Sequence, residues 1–502
     1  MRVPRGLFRK PGFWFVVYIV FWLTANLITL TWFPGWDLNQ DEALHASCAW
    51  GIWEYGAVRS GFLPGSYLGQ YGYGMLSSWI YYGILALFLK IFGIGIFWAR
   101  LPSLLSGAAI LLCTYQMGKE FGSPASGLLA SVFTGFEVFF LRASHYTRSD
   151  AMLAAWICVS VLLFLVAMRR KAWWIFATLG FVSGISVLVR PLGIFLVPGL
   201  AMLMILSRRW AGLAWFSLGA ALAGFIMFFT NFLPFRDYPI LSDIDEPNRS
   251  SPIFLLLTRQ FHLIPIVIES KTRFLLLIFL GWHEPISRFL ILRVTLLAAT
   301  LGAMLRFRDY PLLYGIPLAL TLSAIFCWPL LRGGYLIFLV PLLALGFFVA
   351  FQRVSWIRWG MLIFGVVVGS VAAYRSTEEC RANAPIRRLE SMVFREIPPG
   401  KTLMINWFWF WWPLHHRNRL VAMVDQDFTW GDLSFADLVK RHAPDYIAVV
   451  FWKDFLIWPR QMNHGDTLYI SGLEKMAGFY FQGENRWRGF DSLIIYKVPD
   501  GL

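Results

Sequence analysis

The run FWFVVYIVFWLTANLITLTWF, Phe13–Phe33, carries no charged residue and is long enough to cross a bilayer as one helix, which needs roughly 20 apolar residues. Similar runs recur along the chain. Of the 502 residues, 58% are hydrophobic and only 15% are charged, whereas soluble proteins carry about 25% charged residues. The sequence therefore predicts a polytopic α-helical membrane protein. It excludes a wholly soluble fold and a disordered chain.

Eleven such runs are predicted to cross the membrane. They lie near residues 13–33, 97–117, 124–141, 151–168, 172–190, 192–207, 211–233, 285–305, 311–328, 336–352 and 359–373.

One further apolar run, Met75–Gly93, decides the topology, because counting it as a span reverses the side of every later loop. If it lies on the membrane surface and the N-terminus is cytoplasmic, the inside segments hold fourteen Lys and Arg residues. The short outside loops then hold four, namely Arg142, Arg148, Arg190 and Arg332. Positive residues concentrate in cytoplasmic loops. We therefore expect Met75–Gly93 to be a surface or re-entrant helix, Phe274–Trp282 to be a second surface helix, and the C-terminus to be outside.

The net charge of +15 follows the same pattern, since Lys and Arg cluster in short segments between apolar runs. It therefore indicates membrane orientation and no nucleic-acid partner. Of the five cysteines, Cys113, Cys158 and Cys327 fall within apolar runs, and Cys48 and Cys380 lie outside them. This pattern predicts neither a disulfide framework nor a zinc site.

The composition changes after Tyr374, where charged residues appear every few positions. Strand patterns alternating with helical patterns predict a small α/β domain there. We expect a transmembrane module over residues 1–373, with external loops at 34–96 and 234–284, and a soluble extracytoplasmic α/β domain over 374–502. The predicted strands are Thr402–Asn406, Leu420–Val424, Tyr446–Phe451 and Ser492–Val498, and the predicted helices are Arg387–Arg395 and Phe435–His442.

Acidic residues are scarce, so their positions are informative. The adjacent pair Asp41–Glu42 follows the first span, in DLNQDEALHA, and Asp150 ends the loop LRASHYTRSDA, which also holds Arg142 and Arg148. Both segments lie at the outer membrane surface in the expected topology, and ionisable groups at membrane depth mark functional sites by default. An isolated Asp-Glu pair is more often a helix cap. Two acidic segments that converge on one face together with several arginines favour a functional site.

These segments, with three others, resemble the GT-C superfamily of membrane glycosyltransferases, in the branch that contains the protein O-mannosyltransferases and the lipid A aminoarabinose transferase. The resemblance is spread over about 350 residues in family order. It implies a transferase that takes a sugar from a polyprenyl-phosphate-linked donor on the non-cytoplasmic side of the membrane. The other matching segments are ARLPSLLSGAAILLCTYQMGKEFG (Ala99–Gly122), VRPLGIFLVPGLAML (Val189–Leu203) and RGGYLIFLVPLLALG (Arg332–Gly346).

The same resemblance implies roles for individual residues. Asp41 occupies the position of the family's base, which removes the proton of the acceptor hydroxyl in an inverting transfer. Glu42 is expected to orient the loop or hold a metal, and Asp150 to position the acceptor or the donor sugar. Arg332 occupies the family's basic position before the tenth span, where a guanidinium can hold the departing lipid phosphate. Arg148 and Arg142 are second candidates for the phosphate.

One stretch departs from the family pattern. Relatives carry a Glu-Lys-Pro-Pro-like segment before the surface helix, but Gly69–Trp79 (GQYGYGMLSSW) contains no lysine, acid or proline. Tyr71 and Tyr73 could stack on a sugar or donate to phosphate, although interfacial tyrosines are common membrane-belt residues. His45 could orient Asp41 or contact the acceptor, although a lone loop histidine is more often incidental.

The sequence leaves some points open. The partners expected from the resemblance are a polyprenyl-phosphate sugar, a lipid, glycan or protein acceptor, and membrane lipids. No cofactor is predicted with certainty, and a divalent cation stays open. We expect a multi-pass plasma (inner) membrane location. The alternatives to an enzyme are a transporter or flippase of a lipid-linked glycan and a non-catalytic envelope scaffold. A transporter is disfavoured because the acids lie at one face and no related halves are seen.

Overall fold

The computed structural model describes most of the transmembrane module and the strands of the C-terminal part. The described residues are 10–31, 40–56, 58, 60, 78–232, 252–257, 259–280, 286–327, 337–382, 393, 395–405, 411–422, 435–452, 474–480 and 490–498.

Sixteen helices are described up to residue 382. In chain order they are α1 Pro11–Thr29, α2 Gln40–Tyr55, α3 Trp79–Phe92, α4 Ile96–Glu120, α5 Pro124–Gly135, α6 Val138–His145, α7 Ser149–Arg170, α8 Trp173–Val189, α9 Leu196–Leu206, α10 Trp210–Met227, α11 Pro252–Leu257, α12 Ile264–Leu280, α13 Ile286–Arg306, α14 Pro311–Cys327, α15 Leu339–Ala350 and α16 Ser355–Ala382.

Each of the eleven predicted spans overlaps at least one of these helices. Among the described residues, five helices are long and apolar enough to cross a membrane, and a bent pair makes a sixth. Six further apolar helices have 10 to 17 residues. At 1.5 Å per residue, helices of that length fall short of a hydrocarbon core of about 30 Å. Eleven crossings therefore remain a prediction. The five long segments are Pro11–Thr29, Ile96–Glu120, Ser149–Arg170, Trp210–Thr230 and Ser355–Tyr374.

The bent pair corrects the prediction of one continuous span over residues 124–141. Helix α5 ends at Gly135, α6 begins at Val138, and their axes differ by 67°. Glu137 caps the second half, because its Oε2 accepts a hydrogen bond of 2.8 Å from the amide of Phe140. The indole of Trp22 on α1 donates to the carbonyl of Gly135 at 3.0 Å. These two bonds satisfy backbone groups that a break would otherwise leave without partners.

The two predicted surface helices differ in outcome. Helix α3 covers most of Met75–Gly93 with 14 residues, about 21 Å in length. Its position on the membrane surface remains a prediction. The second was expected over Phe274–Trp282, but α12 starts ten residues earlier and ends at Leu280. The difference arises because Glu269, Lys271 and Arg273 interrupt the apolar run in the sequence without interrupting the helix.

Glycines bring neighbouring helices into close contact. A Cβ at Gly180 on α8 would overlap the carbonyl oxygen of Phe216 on α10, and a Cβ at Gly219 on α10 would overlap the carbonyl of Ala177. Gly118 on α4 and Gly127 on α5 face each other in the same way. The buried apolar side chains of α3 to α9, α14 and α15 form a continuous core around these contacts.

After α16 the chain forms five strands, β1 Thr402–Ile405, β2 Arg419–Ala422, β3 Tyr446–Trp452, β4 Glu474–Tyr480 and β5 Phe490–Lys497, and the helix α17 Phe435–His442. The strands build a mixed sheet in the order β2-β1-β3-β5-β4. Strand β1 is parallel to β2 and β3, whereas β5 is antiparallel to β3 and β4. Four strands and α17 coincide closely with the predicted elements, and β4 was not predicted. Most of the helix predicted over Arg387–Arg395 lies outside the described residues.

Candidate active site

Charged side chains from five segments meet beside the first turns of α2 and α3. Glu42 comes from α2, Arg100 from α4, Arg148 from the loop before α7, Asp150 from the first turn of α7, and Arg190 from the end of α8. Each residue lies at or near the end of its helix, so the helix packing brings the charges to one place. The cluster joins the two acidic segments that the sequence indicated.

Glu42 forms the most deeply buried ion pair of the cluster. Its side chain is fully buried, and that of Arg100 is 4% exposed. The guanidinium donates from Nε to Oε1 at 2.9 Å and from Nη2 to Oε2 at 2.7 Å. Oε1 also accepts from the amide of Thr147 at 2.8 Å, and Arg100 donates to the carbonyl of Leu30 at 2.9 Å. Such a bidentate fork fixes geometry as well as charge, so the Glu42–Arg100 pair ties α2 and α4 to Leu30 and to the loop at Thr147.

Asp150 is buried between two arginines. Its Oδ2 lies 3.0 Å from Nε of Arg148, and its Oδ1 is paired with Nη1 of Arg190. Two guanidinium groups thus share one carboxylate, which leaves an excess of positive charge. Arg190 was not among the residues singled out from the sequence. Two features of the sequence could have indicated it. Arg190 is one of four basic residues in the expected outside loops, and it lies within the family-like segment Val189–Leu203.

Arg142 lies against an aromatic ring beside the same cluster. Its guanidinium carbon is 5.2 Å from the ring centre of Tyr146, and its Nε donates to the Tyr146 hydroxyl at 3.2 Å. The guanidinium carbon of Arg100 is 6.0 Å from the same ring. Burial raises the pKa of the Tyr146 hydroxyl, although Arg142 opposes this effect, so the phenol stays protonated.

His45 lies between α2 and α3. Its Nδ1 is 2.7 Å from the hydroxyl of Tyr82, and its ring meets the edge of Tyr81 with the centres 5.9 Å apart. The structure therefore places His45 with the charged cluster, next to two buried tyrosines of α3. Neither tyrosine was proposed from the sequence, because both fall within a long apolar run.

The remaining predicted site residues lie wholly or partly outside the described residues. Asp41 belongs to the first turn of α2, directly before Glu42, but its side chain lies outside the described residues. Tyr71, Tyr73 and Arg332 also lie outside them. Within the described part of the chain there is no group of three or more His, Cys, Asp or Glu side chains that could hold a metal ion. Metal use therefore stays open.

Residues 77–233 match the family "Dolichyl-phosphate-mannose-protein mannosyltransferase". The resemblance to GT-C membrane glycosyltransferases is confirmed. Two crystal structures of ArnT from Cupriavidus metallidurans, in the apo state and bound to undecaprenyl phosphate, share the fold with a TM-score of 0.57. They are 16% and 15% identical to this chain, and each alignment covers 96% of this chain and 98% of ArnT.

A third similar structure is AglB, the archaeal oligosaccharyltransferase from Archaeoglobus fulgidus, in complex with an inhibitory peptide and a dolichol-phosphate. Its TM-score is 0.46 at 13% identity, and the alignment covers 88% of this chain and 69% of AglB. No curated protein sequence matches significantly. The family match over residues 77–233 and the apolar helices support an integral membrane location for this protein.

Proposed function

We propose that this GT-C protein is an inverting glycosyltransferase that moves a sugar from a polyprenyl-phosphate-linked donor to an acceptor on the extracytoplasmic side of the membrane. The observation that carries the proposal is the arginine–carboxylate cluster at the start of α2, whose carboxylates are buried, in a chain whose fold matches ArnT along almost its whole length. ArnT has been crystallised with undecaprenyl phosphate. A polyprenyl phosphate is therefore the donor carrier that we propose here.

The proposed reaction is a single displacement. The acceptor hydroxyl attacks the anomeric carbon, the bond from that carbon to the phosphate oxygen breaks, and the phosphate keeps the electron pair. Asp41 takes the hydroxyl proton, which a weak nucleophile must lose as the new bond forms. Attack opposite the leaving group inverts the configuration of the anomeric carbon.

The charged cluster supports two parts of this reaction. The Glu42–Arg100 pair fixes the first turn of α2 and with it the backbone of Asp41. Because both oxygens of Glu42 already accept hydrogen bonds, we assign it an orienting role. Arg148 and Arg190, together with Arg332, supply positive charge for the departing phosphate, and Asp150 fixes the two arginines that it pairs with. Positive groups aimed at developing negative charge lower the barrier.

The test is turnover of the purified Asp41→Asn variant with a polyprenyl-phosphate sugar. Asn keeps the size and polarity of Asp but cannot accept the proton, so we expect turnover to fall about 10²–10⁴-fold with little change in donor affinity. Asp150→Asn should have an intermediate effect. Mass spectrometry of lipid-linked sugars and envelope glycans in a deletion strain identifies the sugar and the acceptor.

The alternatives give different results in the same assays. A flippase would change the side on which lipid-linked sugars accumulate without forming a new glycosidic bond, and a scaffold would tolerate Asp41→Asn. If Asp41→Asn turns over like the parent while Asp150→Asn is inactive, the role of base passes to Asp150. If neither variant nor the parent transfers sugar, the proposed function fails.

A further inference from the structure

Tyr81 is the third residue of α3 and lies beside the charged cluster, where the charges of Glu42, Asp150, Arg148 and Arg190 act on it. Its side chain is 1% exposed. The ring contacts His45 edge-on, and Tyr82 is tilted against it with ring centres 5.3 Å apart. These contacts fix the ring, so its hydroxyl has a defined position.

The hydroxyl of Tyr81 is fully buried and makes no hydrogen bond within the described residues. Tyr82 differs, because its hydroxyl lies 2.7 Å from His45. A buried hydroxyl that has given up water without gaining another partner lowers the stability of the fold. Such a group in a native protein calls for an explanation, and one explanation is a bound ligand that accepts its hydrogen bond.

The surroundings of Tyr81 indicate what the ligand must be. Tyr81 interacts electrostatically with Glu42, Asp150, Arg148 and Arg190. Both oxygens of Glu42 already accept hydrogen bonds, from Arg100 and from the Thr147 amide. The carboxylate of Asp150 accepts a hydrogen bond from Arg190 and forms an ion pair with Arg148 at 3.0 Å. Two arginines against one aspartate leave a net positive charge. Each carboxylate of the cluster is therefore already paired, and the ligand that suits Tyr81 and the excess positive charge is an anion that accepts hydrogen bonds.

We infer that Tyr81 donates a hydrogen bond to a phosphate oxygen of the lipid-linked donor, next to Arg148 and Arg190. This inference rests on the proposed function and adds a phosphate ligand from α3, where the preceding loop lacks the lysine of relatives. The phosphate changes from a singly charged diester to a monoester with a second negative charge when the sugar leaves. A hydrogen bond to the phosphate therefore strengthens as the reaction proceeds, which favours the transition state.

Tyr81→Phe tests the inference because it removes only the hydroxyl. In the purified protein without ligand, we expect unchanged or higher thermal stability, since the lost group has no internal partner. Affinity for a polyprenyl monophosphate should fall about 10–100-fold, the usual scale for one hydrogen bond to a charged group. Turnover should fall as well.

Tyr314→Phe is the matched control, far from the cluster in sequence and with an internally bonded hydroxyl. Tyr314 donates to the carbonyl of Gly346 at 3.1 Å. Tyr314→Phe should therefore lower thermal stability and leave lipid affinity unchanged, which is the reverse of Tyr81→Phe.

Three outcomes overturn the inference. If the Tyr81→Phe variant binds the lipid phosphate like the parent, the hydroxyl does not contact the phosphate, and the proposed transferase function is unaffected. If the Tyr81→Phe variant loses thermal stability as Tyr314→Phe does, the Tyr81 hydroxyl has an internal hydrogen-bond partner. A parent protein that binds no polyprenyl phosphate overturns the inference and the proposed function together.

Discussion

At the scale of single residues, the Glu42–Arg100 pair gives the clearest stability prediction. Both side chains are buried, so removing the positive partner leaves a carboxylate without compensation. Breaking a buried pair in this way typically costs about 3–5 kcal/mol. We expect Arg100→Gln to lower the free energy of unfolding by about that amount, measured by denaturation of the purified protein in detergent.

The double variant Glu42→Gln/Arg100→Gln provides the control. Two neutral amides carry no buried charge, so the double variant should be more stable than Arg100→Gln alone. Its recovery separates the cost of the unpaired buried charge from the loss of packing. If the single and double variants are equally unstable, packing of the Arg100 stem and not the buried charge accounts for the loss.

The cluster also shows what the sequence could and could not predict. Glu42, Arg148 and Asp150 were indicated by two acidic segments, the second with arginines, that the expected topology places on one face, and the structure brings these segments together. Arg100 and Arg190 were missed because their partners lie 58 and 40 positions away along the chain. Tyr81 was missed because an aromatic residue in an apolar run is ordinary core. Only the packing shows that its hydroxyl is buried among charges.

At the scale of helices, the crossing of α8 and α10 depends on Gly180. A Cβ there would overlap the backbone of Phe216, so the two helices would have to move apart. Overpacking of this kind typically costs about 1–3 kcal/mol. We expect Gly180→Ala to lower the thermal stability of the purified protein.

Gly224, also on α10, is the matched control. An added Cβ would find no atom within 4 Å there. Gly224→Ala should be neutral or stabilising by up to about 1 kcal/mol, because alanine favours the helix more than glycine does. Equal effects of the two substitutions would mean that the close crossing is not a source of stability.

Helix positions were predicted more reliably than helix ends and breaks. Apolar runs locate the helices because burial in lipid or core requires them. The break after Gly135 was missed because hydropathy continues across it into Val138–Leu141, while Glu137 supplies the cap that permits a bend. Strand β4, EKMAGFY, lacks regular alternation and was missed for that reason. Its pairing with β5 shifts register between Lys475 and Ala477, which is consistent with the irregular pattern.

At the scale of the whole molecule, the C-terminal part touches the helix that carries the proposed base. The short helix Trp411–Leu414 packs against α2, and the rings of His416 and Trp50 form a T-shaped pair with centres 6.2 Å apart. Lys90 of α3 lies over the ring of Trp50, 5.9 Å from its centre. Contact between two segments requires that they lie on the same side of the membrane. We therefore expect helix α2 and the C-terminal sheet to share one side of the membrane, whatever the number of crossings between them.

Cysteine labelling tests this arrangement and the proposed sidedness together. We expect Tyr55→Cys on α2 and Lys440→Cys on α17, both exposed, to react with a membrane-impermeant reagent added to intact cells. Arg170→Cys, in a predicted cytoplasmic loop, should react only after permeabilisation. The background should carry Cys380→Ser, because the other four native cysteines are buried.

Labelling of Tyr55→Cys and Lys440→Cys from opposite sides would contradict the Trp50–His416 contact. Labelling of both only after permeabilisation would preserve that contact but place the site on the cytoplasmic face, where the positive-inside pattern argues against it.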